Sequence, residues 1–227
     1  MIIKQKLIFI ILLLVSTTFI FSQQSKKELI PNEIILLENQ LKINPQNTEL
    51  LMKIGIAYHE LAKLGNKNAV KKSAIYFKKL LQIKPENSEA LTWYGSILTM
   101  KGRDAIFPLL KLKYVNDGLT QMDKAIKLDS TNITIRMIRG NTCLALPENI
   151  FHRIKTSIED FEYLLLLNEK KSFDKNLLAT IYLGLGNAYK KNGDILKARE
   201  NWQKVINTSL NSKETNEAKK LLKETTD

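Results

Sequence analysis

Beyond residue 30, apolar side chains recur every three to four positions, with polar residues filling the gaps. Leu51, Ile54, Gly55 and Tyr58 mark one such stripe, and Leu91, Tyr94, Gly95 and Leu98 mark another. That period belongs to an amphipathic helix burying one face. Strand-type alternation is hard to find. Three similar junctions punctuate the pattern: Ile43-Asn44-Pro45-Gln46-Asn47-Thr48-Glu49, Ile83-Lys84-Pro85-Glu86-Asn87-Ser88-Glu89 and Leu128-Asp129-Ser130-Thr131-Asn132-Ile133-Thr134. Each closes one periodic segment and opens the next. Proline cannot continue a helix, while Asn, Ser and Thr cap a new one by accepting its free N–H groups. The pattern predicts an all-α chain.

Four segments place a glycine on the apolar stripe: Gly55, Gly95, Gly140 and Gly186. A glycine inside a helix costs about 1 kcal/mol against alanine. Its recurrence requires a reason, and close approach of a second helix supplies one.

Residues 182–206, YLGLGNAYKKNGDILKARENWQKVI, make the pattern specific. Tyr182, Leu185, Gly186 and Tyr189 precede a Gly193-Asp194 turn, and Ala198 and Trp202 follow it. This stretch closely resembles the tetratricopeptide repeat (TPR), a helical hairpin, and the resemblance is clearest over residues 179–206. Val205 stands where the family more often has alanine. The resemblance implies an α-α superhelix: a solenoid of stacked hairpins, each covering an apolar face that its neighbour cannot bury alone. Aligned on this unit, residues 26–227 divide into a half unit (32–45), repeats at about 48–85, 88–130, 133–169 and 179–210, and a capping helix over 213–225. Ala218, Leu221 and Leu222 of that last helix are expected to cover the final hairpin.

Spacing tests the alignment. The large second-helix residue should stand 18 positions before the next glycine, as Leu37, Phe77 and Met122 do before Gly55, Gly95 and Gly140. From Phe161 to Gly186 the distance is 25, an insertion of seven residues around Glu169–Lys175. Within repeats the glycine-to-large-residue spacing is 22, 27 and 21, but only 16 in the last. The earlier hairpins therefore have longer helices or longer loops, with Pro108 and Pro147 in two of them.

Composition agrees with this plan. Nine glycines and five prolines in 227 residues leave room for few turns, and 44% hydrophobic content supports a sizeable core. The formal charge of +12 raises the question of nucleic acid. Its lysines are scattered from Lys26 to Lys223 rather than grouped, which reads as a solvated helical surface and no nucleic-acid partner. The N-terminus changes the picture more. Lys4 and Lys6 precede an apolar run, Leu7–Phe21, and then Ser22-Gln23-Gln24-Ser25. This order reads as a bacterial-type signal peptide over residues 1–22. The run of about 15 residues is short of the roughly 20 that span a bilayer. Export to the periplasm or cell surface follows. The alternative keeps residues 7–21 as an uncleaved anchor in the inner membrane and makes the chain an accessory subunit of an envelope complex.

Candidate chemistry is sparse. Cys143 lies in an apolar stretch and reads as a small buried hydrophobe. His59 and His152 have no metal-type spacing, and Gly184-Leu185-Gly186 lies within a helix rather than after a strand. Glu159, Asp160 and Glu162 read as solvated neighbours. Neither a cofactor, a metal nor a catalytic set is expected. A hydrolase would require the stretches Arg103–Asn116 and Leu146–Phe151 to fold over a pocket.

The resemblance implies instead a scaffold that binds a protein or peptide on the inner surface formed by first helices. The positions it marks are Met52, Ile56 and His59, with Glu49 and Glu60; Thr92 and Ser96, with Thr99; Asn141, with Met137 and Leu144; and Leu183, Asn187 and Lys190, with Lys191. Some family members grip a terminal carboxylate with a Lys and an Asn one helical turn apart. Met52 and Ile56 occupy those places in the first full unit, and Leu183 replaces the Lys beside Asn187. A mixed apolar and polar groove is therefore expected, not that clamp.

Overall fold

The computed structural model describes residues 30–208 and 212–225. The expected signal segment, residues 1–22, lies outside them. The described residues are helical, with no strand among them. Residues 30–43 are helical and are called α1. There follow α2 (Thr48–Lys63), α3 (Lys67–Ile83), α4 (Ser88–Asp104), α5 (Pro108–Leu128), α6 (Ile133–Ala145), α7 (Glu148–Phe151), α8 (Ile154–Lys171), α9 (Lys175–Lys191), α10 (Ile195–Thr208) and α11 (Lys213–Glu224). No described helix is long and apolar enough to cross a membrane. The chain divides into two compact units, one ending at Pro85 and one beginning at Glu86.

Local chemistry sets the helix starts. Asn47 accepts hydrogen bonds from the Glu49 and Leu50 amides, Asn87 from Ala90, and Asn132 from Ile135. Side chains of Asn66, Asp174 and Ser212 do the same for α3, α9 and α11. Such a cap supplies an acceptor to a first-turn N–H that has no partner within its helix, a contribution of about 1 kcal/mol.

In the first unit, α2 and α3 form a hairpin through a turn containing Gly65, whose φ of +92° suits glycine. The chain reverses so that Phe77 lies on Gly55; a Cβ there would stand 2.7 Å from the ring. The Ser73 hydroxyl donates to the Gly55 carbonyl at 2.8 Å. Helix α1 is tied on by Glu38, which accepts from both the Tyr58 and Tyr76 hydroxyls at 2.8 Å.

In the second unit the pairs α4/α5, α6/α8 and α9/α10 pack as hairpins, and α11 lies against α10 and α9. Within these hairpins Met122 meets Gly95, Phe161 meets Gly140 and Trp202 meets Gly186. Phe161 also fills the space at Gly184 in α9, so one ring joins two successive hairpins. Phe161, Leu164, Leu185, Trp202 and Val205 belong to a cluster that includes Ala218 of α11, with Leu221 and Leu222 packed against it.

The long stretch around Pro108 is helix rather than loop. Helix α4 runs on to Asp104 and α5 starts at Pro108, leaving three residues between them. Proline suits the first turn of a helix, where no i→i−4 hydrogen bond is lost. Pro147 instead sits in a connection that carries the short α7. The insertion after Phe161 lengthens α8 to Lys171, and Ser172 ends it in the left-handed region at φ 50°.

Candidate partner-binding face

The first helices of the second unit, α4, α6 and α9, lie side by side in that order. Their outward positions differ sharply from one helix to the next. On α4, Thr92, Ser96 and Thr99 are buried, at 0%, 5% and 8% exposure. Thr92 turns its hydroxyl back to the Ser88 carbonyl, and Thr99 donates to the Ser96 carbonyl and also lines the space at Gly118 of α5. These side chains lie beneath the surface, in contact with their own fold.

Helices α6 and α9 present a real surface. Met137, Leu144 and Leu183 are half-buried and rest on the Phe161–Trp202 cluster, forming an apolar floor. Asn141 and Lys190 are exposed above it, and Asn187 is half-buried. The Asn141 amide nitrogen donates to the Met137 carbonyl at 2.7 Å, so its side-chain carbonyl remains as an acceptor. The Asn187 carbonyl accepts from the Trp202 indole N–H at 3.0 Å, which keeps its amide N–H₂ as the outward donor. Lys190 Nζ lies 5.8 Å from the Trp202 ring centroid. Lys191 Nζ donates to the carbonyls of Leu144 and Leu146, each at 2.6 Å. It thereby satisfies the end of α6 from the end of α9, so the two helices run in the same direction.

In the first unit, Met52 and Ile56 of α2 are half-buried, Glu49 is exposed and paired with Lys53 at 2.7 Å, and His59 is buried at 4%. The neighbouring His59, with further help from Lys63 at 3.0 Å, holds the Glu60 carboxyl down to about 2, against the opposing effect of burial.

One cluster escaped sequence reasoning. Asp160 is not a solvated acid: it is fully buried and accepts from Arg136 at 2.9 Å and from Arg139 at 2.8 and 2.9 Å. Arg139 continues to Asp123 at 3.0 Å, and Asp123 also pairs with Arg153. Burial pushes the Asp160 carboxyl up, and the two guanidiniums oppose it. Burial works to lower Arg139, but the hydrogen bond and charge of Asp160 hold it above its ordinary value. A faint signal existed. The residue after the large second-helix side chain is acidic three times, as Glu38, Asp123 and Glu162. Glu162 accepts from the Tyr189 hydroxyl as Glu38 does from Tyr58. Acids at this position tie a hairpin to its successor.

Cys143 is buried, and burial pushes its thiol up to about 12. That withholds the thiolate which nucleophilic chemistry with His152 would need. His152 is exposed at the end of α7. Among the described residues no group of three or more His, Cys, Asp or Glu is arranged to hold a metal ion.

No protein-family model matches the sequence, and no curated protein matches it. Solved structures do resemble it. A thermophilic TPR protein from Thermus thermophilus superposes with a TM-score of 0.67 at 15% identity, covering 88% of this chain and 98% of its own. A MamA crystal structure superposes with a TM-score of 0.52 at 18% identity, covering 85% and 93%. At such identities the likeness is one of fold: this chain has an all-α, TPR-like fold of stacked helical hairpins.

Proposed function

We propose that the protein is a non-enzymatic scaffold that holds a peptide segment of another protein on the face formed by α6 and α9. The α6–α9 face carries this reading. Met137, Leu144 and Leu183 offer an apolar floor, and Asn141, Asn187 and Lys190 border it with one acceptor, one donor and one cation. A segment with apolar side chains at alternate or helical spacing would fill the floor, while its backbone and an acidic group would meet the border. Hot spots are a minority of any interface, and Asn141 and Lys190, exposed above the floor, are the expected ones. Thr92, Ser96 and His59 are buried, so the proposed face does not include them. Met52 and Ile56 offer a smaller surface of the same type in the first unit.

The test is selection of binding peptides from a displayed library, followed by calorimetric titration of the best one. Replacing Asn141 by Ala and Lys190 by Glu together should weaken binding by about 10- to 100-fold, the loss of one or two interface anchors. Undiminished binding by the double variant would move the site elsewhere. Export through a cleaved signal peptide, residues 1–22, belongs to the same proposal and would place the face in the periplasm or at the cell surface. Intact-mass measurement of the native protein separates this from retention of residues 7–21 as an anchor.

A further inference from the structure

Among the described residues of the second unit, half of the large apolar side chains left exposed lie in one stretch, Ile106 to Leu112. Ile106, Phe107 and Leu109, at the turn between α4 and α5, are 86%, 67% and 80% exposed. Leu110 and Leu112 extend the patch along the first turns of α5. The cause is the lengthened hairpin. Its 27-residue spacing exceeds that of the last repeat by eleven, or about 8 Å of extra helix on each arm. The arms are held together to near the turn. A Cβ on Gly102 would lie 2.7 Å from Val115 and 3.0 Å from the Lys111 carbonyl. The tip is therefore a firm hairpin end with exposed apolar side chains.

We propose that this tip is a membrane-docking element, which seats Ile106, Phe107 and Leu109 in the interfacial layer of an anionic phospholipid bilayer. Two observations favour lipid as the occupant. The tip side chains stand almost wholly in solvent, and lipid closes around such side chains where a protein would need a matching hollow. Lys101, Arg103, Lys111 and Lys113 stand near it in the chain against Asp104 and Asp117, which pair with Arg103 at 2.8 Å and Lys113 at 3.0 Å, so this end keeps a net charge of +2 toward anionic headgroups.

The structure supplies its own probe site. The only native thiol, Cys143, is buried, so a Phe107→Cys variant of the full chain can be labelled selectively with an environment-sensitive fluorophore. With vesicles containing phosphatidylglycerol, emission from position 107 should rise several-fold and shift to the blue. Phosphatidylcholine vesicles should produce a much smaller change, and high salt should reduce the response to the anionic ones. A label at Thr120→Cys, exposed farther along α5, should stay unchanged. Adding Ile106→Ser and Leu109→Ser to the labelled protein should abolish the response, with circular dichroism confirming the helices. Three results would overturn the proposal: a silent label on anionic vesicles; a silent label while the chain floats with the vesicles through residues 7–21; or the same blue shift from raised protein concentration without lipid, which would make a second copy the occupant.

Discussion

One glycine stands at the helix crossing of each of the four hairpins, and the tolerances of these glycines differ in a measurable way. A Cβ at Gly95 would stand 2.5 Å from the Gly118 carbonyl oxygen, main chain that cannot swing aside. At Gly140 the nearest atoms are 3.3 Å away, on Asp160 and the edge of the Phe161 ring. Gly95→Ala should therefore lose about 1–3 kcal/mol to overpacking, despite its gain in helix propensity. Gly140→Ala should remain within about 1 kcal/mol of the parent. Urea unfolding followed by circular dichroism decides both. Asp160 offers a second contrast. Asp160→Ala would take the buried carboxylate from Arg136 and Arg139, leaving them the Ser130 carbonyl and Asp123, at a cost of about 3 kcal/mol in the same assay. Arg153→Ala, at the more exposed end of the network, should cost clearly less.

The tyrosines extend this to pH. Burial, followed by hydrogen bonding to Glu38 or Glu162, raises the phenols of Tyr76 and Tyr189 above their usual value of 10. Burial raises Tyr58 as well, with Lys72 opposing it. A phenol held neutral in the fold contributes stability that is fully present below about pH 10, the pKa in the unfolded chain. That contribution is lost as the pH rises toward the elevated folded value. Stability should fall above about pH 10, and ultraviolet titration should show tyrosines that ionise late or only on unfolding. Tyr189→Phe should remove one of them.

At the scale of elements, every hairpin follows one rule carried by small residues. Four positions before the large second-helix side chain stand Ser73, Gly118, Ser157 and Ala198. Ser73 and Ser157 donate to the carbonyls of Gly55 and Gly140, while Gly118 and Ala198 allow main-chain approach at Gly95 and Gly186. Helix α11 closes the second unit through Ala218, and Arg199 reaches the Leu222 carbonyl and Thr225 at its end. Deleting residues from Ser212 onward should uncover apolar surface around Ala198, Trp202 and Val205. The expected result is increased binding of a hydrophobic dye and a lower melting temperature, since terminal repeats need a cap.

Across the molecule, stability passes between neighbours more than it collects at a centre. Phe161 shows how. It lies against Gly140 in its own hairpin and Gly184 in the next. Phe161→Ala should cost about 3–5 kcal/mol. Amide exchange should quicken in α6 and α9 together, where a purely local core residue would loosen one hairpin alone.

The sequence by itself determined the helices, their capped starts and the pairing of each glycine with its large partner. These depend on residues close in the chain: an Asn before a stripe, a proline at a junction, a missing Cβ where two helices cross. It also carried the lengthened α4–α5 hairpin, as a spacing, without deciding between loop and helix. Tertiary structure decided the rest. A helical period shows which positions share a face, but not whether another element covers that face. Thr92 and Ser96 therefore went under while Asn141 and Lys190 stayed in solvent. Charges are ambiguous in the same way. Asp160 looks like its solvated neighbour Glu159 until Arg136 and Arg139, more than twenty residues earlier, fold onto it.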